Sequence, residues 1–171
     1  MKIYIMRHGP AEDSSPSGSD AERDLTLAGR ERVRAAAKAL LAASEGPLQI
    51  VSSPLVRALQ TAEIVAATVD PDAKNILVST RRELAPAGNA LSLLSELRVL
   101  KRRRVMVVGH EPDVSTLAAA LLGKPLPRGF MKGMVLGLSV ADEPIDEGNG
   151  WGTRFRFVLD PKALTFQRDA P

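Results

Sequence analysis

The chain is predicted to fold as an α/β protein, a three-layer α/β/α sandwich around a mainly parallel sheet that ends in a C-terminal antiparallel hairpin. Three observations predict this. Residues 3–6 and 105–108 are short apolar runs without polar alternation, as expected of strands buried on both faces. The strand-like runs alternate with segments whose apolar residues recur at helical spacing, so the strands are joined by right-handed crossovers and lie parallel. After Gly123 the pattern changes to "GMVLGLSV" and "TRFRFVLD", two strand-like stretches joined by the turn-rich "ADEPIDEGNGWG".

The first strand, residues 3–6, is ended by Gly9-Pro10. The polar stretch "AEDSSPSGSDAERD" is a surface loop, and Thr26 is the candidate N-cap of the helix "LAGRERVRAAAKALLAA", with Val33, Ala36, Ala37, Leu40 and Leu41 on its apolar side. A second strand is expected over 48–52, with Ser53 capping the next helix and Pro54 at its first position. A short strand at 76–78 precedes the loop "STRRELAPAG" and a helix from about Asn89, striped by Leu91, Leu94, Leu97 and Leu100. The unit repeats in "KRRRVMVVGHEPDVSTLAAALLG": strand 105–108, a tight turn at Gly109-His110, and a helix from about Pro112. The basic run 101–104 reads as a solvated charged turn, with docking of an acidic partner as the alternative.

The 171 residues, 44% of them hydrophobic, suit one domain over 1–171. The 23 basic and 20 acidic residues leave a net charge of +3, too mild to argue for nucleic acid but suited to an anionic substrate. The absence of cysteine excludes a thiolate nucleophile, a disulfide framework and thiolate zinc sites. No segment approaches membrane-spanning length, and the apolar N-terminal run is too short for a signal-peptide core, so the expectation is a cytoplasmic protein with no membrane partner.

Ligand sites of open α/β sheets lie beyond the carboxyl ends of the strands. The first strand ends at Arg7-His8-Gly9, the second runs into Ser53-Pro54 with Arg57 one turn into the helix, and another ends at His110. The chain has only two histidines, and both stand at strand ends. Two imidazoles and two guanidinium groups in one crevice repel one another unless an anion sits among them. A phosphoryl group fits: the arginine fork matches its oxygens, and an imidazole can attack phosphorus without metal or thiol. Each motif alone has a plainer reading, as a polar strand end, a capped helix bearing a surface arginine, and a hydrogen-bonded turn histidine.

In these three blocks the chain resembles the histidine phosphatase superfamily, the phosphoglycerate mutase-like fold. "MRHG" matches its signature, "SSPLVRALQTAE" its second block and "VVGHEP" its distal-histidine block; the short length and "RELAPAG" are most similar to the SixA-type phosphohistidine phosphatases. The resemblance implies a phosphohistidine intermediate on His8, with Arg7, Arg57 and His110 around the transferred group and no cofactor or metal. It implies that His8 is held in one tautomer by a backbone carbonyl near Gly9. Glu83 in "RREL" matches the acid that protonates an ester leaving group; its plainer reading is a surface carboxylate paired with Arg81 or Arg82. The chain has no room for cap insertions, so the pocket is expected to be shallow, favouring a phosphorylated protein such as a histidine phosphotransfer domain. A small phosphomonoester substrate and a phosphate-binding module without turnover are the alternatives.

Overall fold

The computed structural model describes residues 1–146 and 148–170. Its elements, in chain order, are β1 (Lys2–Arg7), α1 (Leu27–Ala42), β2 (Gln49–Ser52), α2 (Val56–Val69), β3 (Leu77–Thr80), α3 (Ala90–Val99), β4 (Arg104–Gly109), α4 (Asp113–Leu122), β5 (Val135–Ser139), β6 (Arg154–Leu159) and β7 (Phe166–Gln167). Two short 3-10 turns, Asp20–Glu22 and Arg82–Leu84, lie in the loops after β1 and β3.

One sheet runs in the order β3-β2-β4-β1-β5-β6-β7. The first four strands are mutually parallel, and the rest join as antiparallel neighbours. The expected hairpin is β5–β6; β7, which pairs only through Val158 and Leu159 of β6, was not expected from the sequence. A two-residue strand carries too little pattern to be read locally.

The period of two explains why the central strands are apolar throughout. Ile3, Ile5, Val105, Val107 and Val51 face a core with Leu93, Leu94 and Leu97 of α3 and Val114, Leu117 and Leu121 of α4. Tyr4, Met6, Met106, Val108 and Ile50 face the other core, with Val33, Ala36 and Leu40 of α1 and Ala58, Ala62 and Val65 of α2. The result is the three-layer sandwich. No helix among the described residues is long and apolar enough to cross a membrane.

Caps and stripes follow the sequence with some corrections. Thr26 caps α1 by accepting from Gly29 N, and Asn89 caps α3 by accepting from Ser92 N. Leu41 and Leu100, placed on apolar stripes by spacing, are exposed, and Leu93 takes the inward place on α3. Leu41 lies one step, about 100°, round from the buried Leu40. Ser53 does not cap α2. The helix begins two residues beyond Pro54, at Val56, and its N-cap Leu55 offers no side-chain acceptor. Ser53 N instead donates to Val108 O at 2.9 Å, prolonging the ladder, which carries its hydroxyl towards β4.

Candidate active site

β1 and β4 are adjacent and parallel, but α1 and α4, which follow them, pack on opposite faces of the sheet. Such a divergence opens a crevice at the strand carboxyl ends. The register pairs Arg7 with Gly109, so the next residues, His8 and His110, emerge side by side. His8 N donates to Gly109 O at 3.1 Å, and the two imidazole centroids are 5.1 Å apart. Both rings are buried.

Gly9 O lies 2.7 Å from His8 Nδ1. A carbonyl can only accept, so Nδ1 carries the proton and the Nε2 lone pair is left for chemistry. This is the tautomer the resemblance implied. Burial pushes the His8 pKa down to about 3; its hydrogen bond to Gly9 opposes the shift, while His110, Arg57 and Arg7 add to it. His110 is pushed down to about 4, first by burial and then by Arg57, with Arg7 a smaller contributor. Both rings are therefore neutral at pH 7 without an added anion.

Gly9 is held from behind: its N–H donates to Thr61 Oγ1 at 3.1 Å, and Thr61 donates to Arg57 O at 2.7 Å. A Cβ on Gly9 would lie 2.6 Å from Val33 Cγ2, so the backbone passes too close to α1 for another residue. The turn of α2 that carries Arg57 thus also fixes the carbonyl that sets the His8 tautomer.

Arg57 is buried, and Asp20 holds its two terminal nitrogens, NH1 through the backbone carbonyl at 2.7 Å and NH2 through the carboxylate at 3.0 Å. The Arg57 hydrogen bond is the main reason the Asp20 carboxyl titrates below its ordinary value. Arg7 NH1 donates to Phe130 O at 2.7 Å, while Phe130 N donates to Glu111 Oε1 at 2.7 Å, tying the loop before β5 to the site. His110 Nε2 shares a 2.8 Å hydrogen bond with Ser53 Oγ. Nε of Arg7, Nε of Arg57 and Nδ1 of His110 are buried without a hydrogen-bond partner among the described residues. Buried polar atoms left unpaired cost on the order of 1–3 kcal/mol each, and these three sit on three of the four residues singled out from sequence.

Among the described residues Glu83 is hydrogen-bonded to Arg81 and not to this group. Its carboxylate accepts from Arg81 Nε at 3.2 Å and NH2 at 2.5 Å, and Arg81 also holds Glu96. The Arg81 hydrogen bond keeps the Glu83 carboxyl below its ordinary value. No hydrogen bond joins Glu83 to Arg7, His8, Arg57 or His110 among the described residues. Sequence reasoning did not find Asp20, Glu111 or the part played by Thr61. Thr61 had a signal, one helical turn beyond Arg57 in the same block, but Asp20 lies in an aperiodic polar loop.

Comparison with known proteins gives the family and the fold. Residues 3–85 match the model of the histidine phosphatase superfamily (branch 1). The phosphohistidine phosphatase SixA of Escherichia coli K12 is 31% identical over 166 residues, covering 94% of each chain. A SixA homolog of Haemophilus influenzae Rd is 33% identical over 140 residues, covering 76% of this chain and 82% of that protein. Among solved structures, that of the protein histidine phosphatase SixA complexed with tungstate superposes with a TM-score of 0.82 at 27% identity, covering 96% of this chain and 100% of the other.

Proposed function

Since the chain belongs to the histidine phosphatase superfamily and is a phosphatase, SixA-like in fold and sequence, we propose that it removes the phosphoryl group of protein phosphohistidine through a phosphohistidine intermediate on His8. The observation that carries this reading is the His8 ring itself, neutral, locked by Nδ1 onto Gly9 O at 2.7 Å, and within the field of Arg7, Arg57 and His110.

The steps balance without a redox partner. The Nε2 lone pair of His8 attacks phosphorus in line, the bond from phosphorus to the substrate imidazole breaks, and that imidazole leaves with the bonding electrons. Arg7 and Arg57 carry the fixed positive charge that stabilises the equatorial oxygens, and His110 presents a ring nitrogen to them. Water then attacks phosphorus, the bond to Nε2 breaks, and its electrons return to His8. The water's proton stays with the inorganic phosphate that departs.

Protein phosphohistidine is favoured over a small phosphomonoester by Glu83. An ester oxygen needs a proton donor to leave well, and a carboxyl held by Arg81 is ionised at neutral pH. An imidazole already protonated on its other nitrogen leaves neutral and has no such need. A histidine phosphotransfer domain is the substrate class that follows. In the ester reading Glu83 remains the candidate acid, and it would have to leave Arg81 to act.

The test is a quench in alkaline denaturant after mixing with a phosphotransfer domain labelled on its phosphohistidine, because phosphoramidates hydrolyse in acid. Label on His8 during turnover, and no turnover in a folded His8→Ala variant, is the expected result. Near-normal turnover of His8→Ala would overturn the assignment.

A further inference from the structure

A second concave site lies at the opposite pole of the sheet. A cavity of about 660 Å³ is lined by Lys2, Lys101, Arg102, Arg103 and Arg104, with Leu48 and Met1 as apolar wall. Lys2 opens β1 and Arg104 opens β4, so the cavity sits at the amino ends of the strands whose carboxyl ends carry His8 and His110. Five residue steps at about 3.3 Å separate Lys2 from Arg7, roughly 17 Å of strand between the two poles. The cavity and the phosphoryl site are distinct.

Its charge is not balanced from within. Asp142 and Glu143 also line it, but Asp142 is taken by the N-terminal ammonium at 2.7 Å and Glu143 lies 4.0 Å from Lys101. The side chains of Lys2, Arg102 and Arg103 make no hydrogen bond or ion pair among the described residues. Lys2 and Arg104 are register partners on neighbouring strands, where like charges repel. Lys101, Arg102 and Arg103 are exposed, as the reading of a solvated charged turn expected, and with Lys2 and Arg104 they line the same hollow.

The backbone supports the same conclusion. α3 ends in a Schellman motif: Lys101 N donates to Arg98 O at 2.9 Å and Arg102 N to Leu97 O at 3.1 Å. The left-handed position of that motif, where glycine is usual, is held by Lys101 at φ +52°. A side chain there is disfavoured by about 1 kcal/mol or more, and a lysine occupies it at the rim of a basic hollow.

From the cavity, its unpaired cations and this strained lysine, we infer that the amino-end pole binds a polyphosphate chain, either free tripolyphosphate or that of a nucleoside triphosphate. The volume lies within the range of small-ligand sites, and guanidinium groups match phosphate oxygens. Leu48, half exposed at the wall, offers apolar surface to a nucleoside.

The experiment uses the full chain carrying His8→Ala and Arg57→Ala, which disables the phosphoryl site, checked for native circular dichroism. Calorimetric titration with tripolyphosphate at low salt should show one site per chain. Adding Arg102→Ser and Arg103→Ser should weaken it at least about tenfold, and Lys2→Gln, which leaves the helix cap untouched, about threefold. Equal affinities for tripolyphosphate and ATP assign recognition to the phosphate chain alone, and tighter binding of ATP assigns it to a nucleoside triphosphate; both support the inference. Absence of binding, binding indifferent to the Arg102, Arg103 and Lys2 changes, or tighter binding of an acidic peptide of equal charge would overturn it.

Discussion

Lowering the pH from 7 to 5 should weaken the fold by about 3 kcal/mol, and the two histidines should account for nearly all of it. In the unfolded chain each imidazole titrates at its ordinary 6.5, whereas in the fold His8 is pushed down to about 3 and His110 to about 4. With depressed values the unfolded chain takes up protons first. The stability held by the neutral rings is therefore present above the unfolded value of 6.5 and is lost progressively as the pH falls from there to the folded values. Between pH 7 and 5 each unfolded ring goes from about one-quarter to almost fully protonated while its folded counterpart stays neutral, which costs about 2 kcal/mol per ring. Solvent at the mouth of the site trims the pair to about 3 kcal/mol. The window is clean, because the chain has no other histidine. Urea unfolding at the two pH values measures the loss. His8→Asn and His110→Asn should each remove about half of it, and the double variant should be nearly flat. A wild-type loss below about 1 kcal/mol, or a double variant that keeps the full loss, would refute the argument that both rings are buried neutral.

Arg57→Lys should lower kcat/KM by about 100-fold, because a point charge cannot reproduce the planar fork; wild-type kinetics would make Arg57 an ordinary helix residue. Glu83→Gln should cost less than about tenfold on a phosphorylated phosphotransfer domain, and a loss nearer 100-fold on phosphomonoesters alone would mark Glu83 as an acid for esters. Gly29→Ala should destabilise by about 2–3 kcal/mol in urea unfolding at pH 7, since the new Cβ would stand 2.0 Å from Pro10 O; an unchanged midpoint would show that the loop after β1 yields freely.

Much of this protein was legible along the chain. Apolar runs without alternation marked β1 and β4 because a strand covered on both faces has no polar side, and Thr26 was readable as a cap because capping is settled within three residues. Arg7, His8, Arg57 and His110 could be singled out because each stands at or just beyond a strand end. Ser53 shows where local reading fails. Its neighbours suggest a helix cap, but its hydroxyl meets His110, a residue 57 positions away, and a buried imidazole competes for the same oxygen.

What the sequence by itself determined is which segments are strands and helices and which polar residues have no place in a core, since propensity, period and burial cost act over a few residues. What only the tertiary structure decided is how those residues meet. The β1–β4 register sets His8 beside His110, Gly9 O selects the His8 tautomer, the Asp20 turn reaches across to Arg57, and residues 101–104 fold with Lys2 around one hollow. Each of these depends on strand order and loop closure, where residues far apart in the chain come within hydrogen-bond reach, and no local pattern encodes that distance.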